Sequence, residues 1–198
     1  MLDYLEARLP HLKNKLQQFA ALYERIEVPA RTILLREGEI SRRFFFVEKG
    51  CLRAWINNNG KDLTFQFFFE GQGVSSAESF RRNIPSIFTI EAIEPSVIHI
   101  MHKKDYESIM QELNTDAAFL KEMTEIIFER QLYYVREFLS FIRDTPRQRY
   151  LNLLQQKPQV VQRVPQHYIA SYLGVTSVHL SRIRNKLLKE NKKSSSSS

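Results

Sequence analysis

Residues 166–185 read QHYIASYLGVTSVHLSRIRN, and this stretch decides how the rest of the chain is interpreted. Ile169 and Leu173 are four residues apart, which is the spacing of apolar side chains on one helical face. Ala170 between them is small enough for a second helix to cross closely. Gly174 is expected to end the first helix, because glycine adopts positive φ without the penalty that a Cβ carries. The stretch therefore predicts a helix-turn-helix.

A second helix is predicted to run from about Ser177 toward Lys189. Val175 fills the turn before it, and the Thr176 hydroxyl can cap its first turn. Its inner face consists of apolar residues at spacings of three and four, Leu180, Ile183 and Leu187. The residues left facing outward are Ser177, Val178, Ser181 and Arg182. An outward face of small polar residues and arginine suits the major groove of DNA.

A plainer interpretation of the same stretch is an amphipathic hairpin that packs in an all-helical subdomain. Such a hairpin requires neither the alanine, the glycine nor the turn residues in this order. Charge also favours DNA, since residues 143–193 hold eleven Lys and Arg against two acidic residues. That segment therefore carries +9, whereas the whole chain of 198 residues carries +7 and the remainder −2. The local basic excess predicts a phosphate-binding surface and favours two domains.

The composition argues against several other classes of protein. Hydrophobic residues make up 43% of the chain, and no apolar run approaches the length of a membrane span. The first residues lack the features of a signal peptide, so a cytoplasmic protein without a membrane partner is expected. Cys51 is the single cysteine, which excludes an internal disulfide and argues against an iron-sulfur cluster. His99 and His102 point to opposite faces of an apparent strand, so no metal site is expected.

The first two thirds of the chain change from helical to strand periodicity. Residues 2–25 carry apolar residues at spacings of three and four, interrupted by Pro10, which predicts one or two short helices. Six short apolar runs then alternate with turn signals, at 32–35, 44–47, 52–56, 63–69, 87–92 and 96–101. The clearest hairpin turn is Asn58-Asn59-Gly60. The pattern predicts an α+β protein with an antiparallel barrel or sandwich of the jelly-roll (double-stranded β-helix) type.

Helical periodicity returns after residue 103 and predicts a long helix over about 114–143. Its apolar residues exceed what a helix lying on a barrel can bury, which predicts a homodimer through this helix. The alternative is that the helix simply covers the barrel. The expected domains are a sensor barrel with the dimerisation helix at 1–143, a helix-turn-helix domain at 144–193 and a disordered serine tail at 194–198. Residues 157–163 are expected to form a connector.

The barrel, the long helix and the helix-turn-helix together resemble the Crp/Fnr family of bacterial transcription regulators. The resemblance covers nearly the whole chain. The motif AxxLGVTxxxLSRIRxKL, from Ala170 to Leu187, is similar to the reading head of that family. Four glycines are similar to the turn glycines of its cyclic-nucleotide-binding-type barrel, Gly38, Gly50, Gly60 and Gly71. The resemblance implies a homodimer on double-stranded DNA with one reading helix per subunit in successive major grooves, and allows RNA polymerase as a further partner.

By the family pattern, Ser177, Val178 and Arg182 correspond to the principal base-contacting positions. Many relatives carry glutamate where Val178 stands, so the best-known operator sequence is not carried over. The remaining predicted DNA-binding residues are Thr176, His179, Ser181, Arg184 and Lys186. The chain ends soon after the reading helix, so the β-hairpin wing of the family is expected to be absent or reduced.

The predicted effector pocket departs from the family. Relatives that bind cyclic AMP carry an Arg-Ser or Arg-Thr pair whose arginine holds the cyclic phosphate, but residues 85–87 here read Pro-Ser-Ile. Loss of that bidentate partner predicts weak or no binding of cyclic AMP. The substitute effector-binding residues are Glu78, Arg81 and Arg82, although solvated loop residues fit the sequence equally well. No haem or iron-sulfur cofactor is expected, because the required cysteines and axial ligands have no evident match.

Three functions follow from these patterns. The leading one is a homodimeric, sequence-specific DNA-binding transcriptional regulator with an unidentified or absent small-molecule effector. The second is a ligand-sensing barrel that acts through protein partners rather than DNA. The third, a cupin-like metalloenzyme, requires converging histidines and a carboxylate, which the spacing of His99 and His102 argues against. No nucleophile, acid-base pair or phosphate loop has enough context to indicate an enzyme.

Overall fold

The computed structural model describes residues 2–195, and it describes the side chains of residues 5–190. The chain divides into two compact units. The first consists of Met1–Ile56 and Phe67–Tyr134, and the second of Asn57–Gln66 and Val135–Ser198. The chain passes from the first unit to the second at residues 134–135, within the long helix. The boundary predicted from the sequence, at residues 143–144, follows the end of that helix.

Short helices open the first unit, as the leucine spacing predicts. They are α1 at Leu2–Arg8, a 3-10 turn at Pro10–Leu12 and α2 at Lys13–Ala20. Pro10 stands at the first position of the 3-10 turn, where a missing backbone N–H costs nothing. The buried face of this segment consists of Leu5, Leu9, Leu12, Leu16 and Phe19.

Two four-stranded sheets follow, and their strand pairs are antiparallel. The strands are β1 Glu24–Val28, β2 Ile33–Leu35, β3 Arg43–Lys49, β4 Leu52–Asn58, β5 Lys61–Phe68, β6 Gly73–Val74, β7 Thr89–Ala92 and β8 Ser96–His102. One sheet has the order β1-β8-β3-β6, and the other has the order β2-β7-β4-β5. This arrangement confirms the α+β class and the antiparallel sheets predicted from the sequence.

A single apolar cluster drawn from both sheets fills the interior of this β-roll. Its buried members are Leu34, Leu35, Phe45, Val47, Leu52, Ala54, Phe68, Val74, Ile90, Ala92, Ile98 and Ile100. A second cluster joins α1, α2 and the helices α4 at Lys103–Leu113 and α5 at Ala117–Arg143 to Met101 of β8. Helix α3, Ala77–Arg82, lies between β6 and β7 in the chain. The long helix predicted over about 114–143 is thus confirmed as α5.

Several short elements differ from the sequence-based expectation. β1 begins at Glu24, within the segment expected to be helical, because it pairs with β8 from Glu24 opposite Ile100 to Val28 opposite Ser96. The expected connector over 157–163 contains helix α7, Pro158–Arg163. Val160 of this helix is 2% exposed, so it anchors α7 by burial. The sequence does not predict α7, because six residues are too few to show helical periodicity. Neither α3 nor the two-residue strand β6 is predicted from the sequence pattern.

The second unit contains the helix-turn-helix. Its helices are α6 Pro146–Gln156, α7, α8 Gln166–Tyr172 and α9 Ser177–Ser195. Thr145 and Gln148 form a reciprocal capping box at the start of α6. Ser171 of α8 bonds the segment Asn57–Gln66 of the same unit. Its hydroxyl accepts a hydrogen bond from the Thr64 N–H (2.9 Å) and donates one to the Asp62 carbonyl (2.6 Å).

Helix α9 runs through Ser195, the last described residue, so the absent or reduced wing stays a prediction. The disorder predicted for residues 194–198 stays a prediction, because α9 runs through Ser195 and 196–198 lie outside the described residues. Across residues 2–195, none of the helices has the length and apolar character that a membrane crossing requires.

Candidate nucleic-acid interface

The turn between α8 and α9 is a Schellman motif. Gly174 has φ of +67°, and its N–H donates to the Ser171 carbonyl at 3.0 Å. The Val175 N–H donates to the Ala170 carbonyl at 2.9 Å, which completes the pair of bonds that defines the motif. Ile169 is also nearly fully buried, so both the turn chemistry and the packing of α8 follow the sequence.

Helix α9 begins with a side-chain cap. The Thr176 hydroxyl oxygen accepts a hydrogen bond from the His179 N–H at 3.2 Å, which satisfies one of the free donors at the helix start. Leu180 is 1% exposed and Ile183 is 7% exposed, so this stripe anchors the helix to the unit. The cap and the stripe together fix which side of α9 faces outward.

The outward face contains the residues predicted to read DNA. Ser177, Val178, Ser181 and Arg182 are exposed, as are Thr176, His179 and Lys186, whereas Arg184 is half-buried. Val178 retains 62% of its surface. The structure thus brings the predicted residues together on one convex helix surface.

Sequence reasoning missed two members of this face, Asn185 and Leu188, both of which are exposed. At about 100° per residue, Asn185 lies ~160° around the helix from Ile183 and points almost directly away from the buried stripe. An asparagine can bond the donor and acceptor on the edge of adenine. Asn185 is predictable from the sequence by continuing the helical period one turn beyond Arg182.

Some of the basic side chains counted in residues 143–193 form ion pairs within the second unit. Arg143 pairs with Asp144 (2.7 Å), Arg147 with Glu190 (2.6 Å) and Lys157 with Glu137 (3.0 Å). Because these side chains already have partners, fewer cations face outward than the sequence count suggests. Among the described side chains, the basic residues of α9 make no ion pair or hydrogen bond: Arg182, Arg184, Lys186 and Lys189.

The predicted effector-binding residues lie on α3 in the first unit. Glu78 and Arg82 form an exposed ion pair at 2.8 Å, one helical turn apart, with 54% and 72% of their side chains exposed. Arg81 is exposed as well. Glu78 and Arg82 therefore meet each other in solvent, and the geometry of α3 shows no preference for a ligand.

The loop after α3 contains Pro85-Ser86-Ile87, which the resemblance aligns with the family's Arg-Ser pair. The buried Ser86 hydroxyl donates to the Phe88 carbonyl at 2.7 Å, and the Ser86 N–H donates to the Glu39 carbonyl at 2.8 Å. Pro85 forms an isolated bridge with Ile40. These bonds tie the loop to its own neighbours.

No group of three or more metal-binding side chains occurs within the described part of the chain. His99 bonds Glu48 at 2.6 Å and His102 lies 3.4 Å from Glu24, so each histidine has its own carboxylate partner. Cys51 is buried. None of these residues forms a converging ligand set in the described structure.

Comparison with known proteins gives a family match for residues 25–113 and solved structures with the same fold. Residues 25–113 match the family model of the cyclic nucleotide-binding domain. A search of curated proteins found no match.

Solved structures with the same fold include regulators from three bacteria. CLP of Xanthomonas campestris, described as a c-di-GMP responsive global regulator, is 18% identical over 90% of this chain and 92% of its own, with a TM-score of 0.71. FixK2 of Bradyrhizobium japonicum is 15% identical over 85% and 86%, with a TM-score of 0.72. A CooA mutant of Carboxydothermus hydrogenoformans is 17% identical over 92% and 84%, with a TM-score of 0.69.

The chain is thus built as a cyclic nucleotide-binding-type roll followed by a helix-turn-helix. Residues 25–113 are similar to the cyclic nucleotide-binding domain, and the fold of the chain is that of Crp/Fnr regulators. The resemblance predicted from the sequence is confirmed at this level.

Proposed function

We propose that the protein is a homodimeric, sequence-specific DNA-binding transcriptional regulator of the Crp/Fnr type. The observation that carries the proposal is the outward face of α9, where exposed Arg182 stands beside small side chains on a capped and anchored helix. Such a face fits the major groove, which admits an α-helix and presents a distinct pattern of donors and acceptors for each base pair.

Within this proposal the exposed residues of α9 have different roles. Arg182 bonds guanine edges, and Ser177 and Val178 contact neighbouring bases. The cations beside them, Arg184 and Lys186, neutralise phosphates and position the helix without reading sequence. The remaining members of the predicted site, Thr176, His179 and Ser181, cap the helix or line its approach to the backbone.

The exposed apolar surface of α5 supports a second copy of the chain as its occupant. Its exposed members are Leu120, Ile127, Phe128, Tyr134, Val135, Phe138, Leu139, Phe141 and Ile142. Leu120, Ile127, Tyr134 and Phe141 follow one another at intervals of seven residues, which is the repeat of a two-stranded coiled coil. A symmetric dimer places two reading helices on half-sites about 34 Å apart.

The proposal includes no role for cyclic AMP as the effector and no catalytic activity. The committed hydrogen bonds of Ser86 support the first point. Its effector is therefore a different molecule or none. Contact with RNA polymerase belongs to the same proposal as the route by which a bound dimer acts on transcription.

Arg182→Ala tests the reading face. Against a site selected by the parent protein from random-sequence DNA, the variant should lose about 1–3 kcal/mol of binding and discriminate less at one base position. Binding is measured by gel shift at fixed salt, with Arg42→Ala, an exposed arginine of the first unit, as the matched control. Equal binding by Arg182→Ala and the parent would refute the assigned face.

Salt dependence separates DNA from a protein partner. Phosphate contacts release counterions, so binding to DNA should weaken steeply as salt increases. If no DNA is retained at low salt, the barrel with protein partners becomes the better explanation.

A further inference from the structure

The second unit contains a cavity of about 250 Å³ that the proposed reading function does not use. It lies between the last turns of α5, helix α6 and the end of α8. The polar part of its lining includes Arg136, Glu137, Asp144, Arg149, Gln156 and Lys157. A cavity of this size admits a small metabolite, although it is at the low end for larger ligands.

The carboxylate of Asp144 is already fully engaged. It accepts hydrogen bonds from Arg143 Nε (2.7 Å), from the Ser140 hydroxyl (2.8 Å) and from the Asn152 amide (3.1 Å). The bond from Arg143 holds the pKa of Asp144 below its ordinary value, with Ser140 acting in the same direction. This carboxylate therefore stays charged and has little capacity left for a ligand.

The second carboxylate, on Glu137, is engaged in the same way. Its Oε1 accepts from Lys157 Nζ at 3.0 Å, and its Oε2 accepts from the Tyr172 hydroxyl. Lys157 Nζ also lies 2.9 Å from the Tyr172 oxygen. Both oxygens of Glu137 are thus occupied by donors from other helices, so the cavity presents no free carboxylate to attract a cation.

The groups that remain available are donors. Arg149 spends its terminal nitrogens on the carbonyls of Asp144 (2.8 Å) and Leu173 (2.9 Å), but its buried Nε has no hydrogen-bond partner among the described residues. The exposed guanidinium of Arg136 makes no described ion pair, and the Gln156 amide is exposed as well. The Arg149 Nε is covered by protein atoms, so the donors that a ligand in the cavity can reach are those of Arg136 and Gln156.

The lining also has an aromatic wall. The Arg149 guanidinium stacks over the Phe141 ring at 4.8 Å, and Phe141 is 45% exposed. Four cationic side chains line the cavity, Arg136, Arg143, Arg149 and Lys157, against two carboxylates. The local balance is therefore positive, and the apolar surface beside it accommodates a ring or chain.

From these contacts we infer that the cavity binds a small organic anion. Its carboxylate or phosphate lies against Arg136 and the Gln156 amide, and its apolar part lies against Phe141. This is a ligand site within the helix-turn-helix unit, separate from the interior of the β-roll. It does not depend on the proposed DNA reading, because ligand binding is measured directly on the free protein.

The test uses benzoate and phenyl phosphate as anionic probes and benzyl alcohol as the neutral one. Titration calorimetry on the full chain at constant ionic strength should show saturable binding of at least one anion, with a dissociation constant tighter than about 1 mM. Benzyl alcohol should show none. Absence of saturation for both anions, or equal binding of the alcohol, would overturn the inference.

Arg136→Gln locates the site. It is not a member of the proposed dimer surface, but Leu139 of that surface lies ~60° away around α5, so sedimentation verifies that the variant keeps the oligomeric state of the parent. Loss of one charge-assisted bond should weaken binding about tenfold or more, whereas Arg42→Gln should leave it unchanged. Gln156→Ala is a second, milder variant, and circular dichroism verifies that each variant is folded. Unchanged affinity in both cavity variants would place the anion elsewhere and refute the assignment.

Discussion

Gly174 shows how a single backbone angle supports the reading head. Its φ of +67° lies in the left-handed region, where a side chain costs about 1–2 kcal/mol. A Cβ at this position would also stand 3.3 Å from a ring carbon of Phe141, closer than ordinary van der Waals contact. The glycine therefore satisfies both a conformational and a steric requirement.

Gly174→Ala should lower the free energy of unfolding by about 1–2 kcal/mol through this backbone cost, with the close approach to Phe141 adding to it. Gly174→Asn should lose less, because asparagine tolerates the left-handed conformation better. Chemical denaturation of both variants measures the difference. An alanine variant as stable as the parent would show that the turn relaxes without cost.

Individual residues also mark the limit of sequence reasoning. The outward positions of α9 were predictable because they follow from one helical period within 20 residues of sequence. The roles of Arg149 and Lys157 were not, since both were counted as cations available to phosphate. Their partners, Leu173, Glu137 and Tyr172, lie on other helices, and only the folded chain shows that these charges are already engaged.

At the scale of elements, α5 carries the prediction of a dimer. Ile127 is 69% exposed at the centre of its apolar surface, so burial against a second copy is the proposed source of dimer stability. Ile127→Lys should convert the dimer into a monomer, measured by sedimentation. Glu129→Lys introduces the same side chain on the opposite face of the helix and should leave the dimer intact. A dimer that survives Ile127→Lys would indicate another interface.

The start of α5 predicts a dependence on pH. Asp116 accepts a hydrogen bond from the Phe119 N–H (2.8 Å), and its other oxygen lies 2.8 Å from His11 Nε2. These contacts, the Phe119 bond foremost, hold the pKa of Asp116 below its ordinary value. The charged form therefore stabilises the fold above the unfolded pKa of ~3.9, and this contribution is lost as the pH falls through the lower folded pKa.

The expected result is a difference in melting temperature between the parent and Asp116→Ala that is largest near neutral pH and narrows in acid. Asp116→Asn is the matched control, because asparagine caps a helix without titrating. Its difference from Asp116→Ala should stay constant across the same range. A parent advantage that persists unchanged at the most acidic pH would contradict the role given to the carboxylate.

The elements differ in how far sequence reveals them. The long helix α5 and the six main strands show their period over enough residues to be recognised. β1 and α7 do not, because β1 is defined by its pairing with β8 and α7 by the burial of Val160. Short elements of this kind are specified by tertiary contacts rather than by local preference.

At the scale of the whole molecule, the fold does not by itself determine which ligand the β-roll binds. The matched family is named for cyclic nucleotides, yet the loop around Ser86 supports a different or absent effector. Titration calorimetry with cyclic AMP should therefore show no binding at micromolar or tighter affinity. Micromolar binding would mean that another residue has replaced the missing arginine.

The two hydrogen bonds of Ser171 bear on how such proteins can be recombined. The segment Asn57–Gln66 is inserted in the chain between the two halves of the first unit, but it belongs to the second. A chimera that transplants only residues 135–195 leaves the Ser171 hydroxyl without Thr64 and Asp62. An exchange of the whole second unit between proteins of this fold thus involves two separate pieces of gene, the terminal segment and a hairpin encoded far upstream.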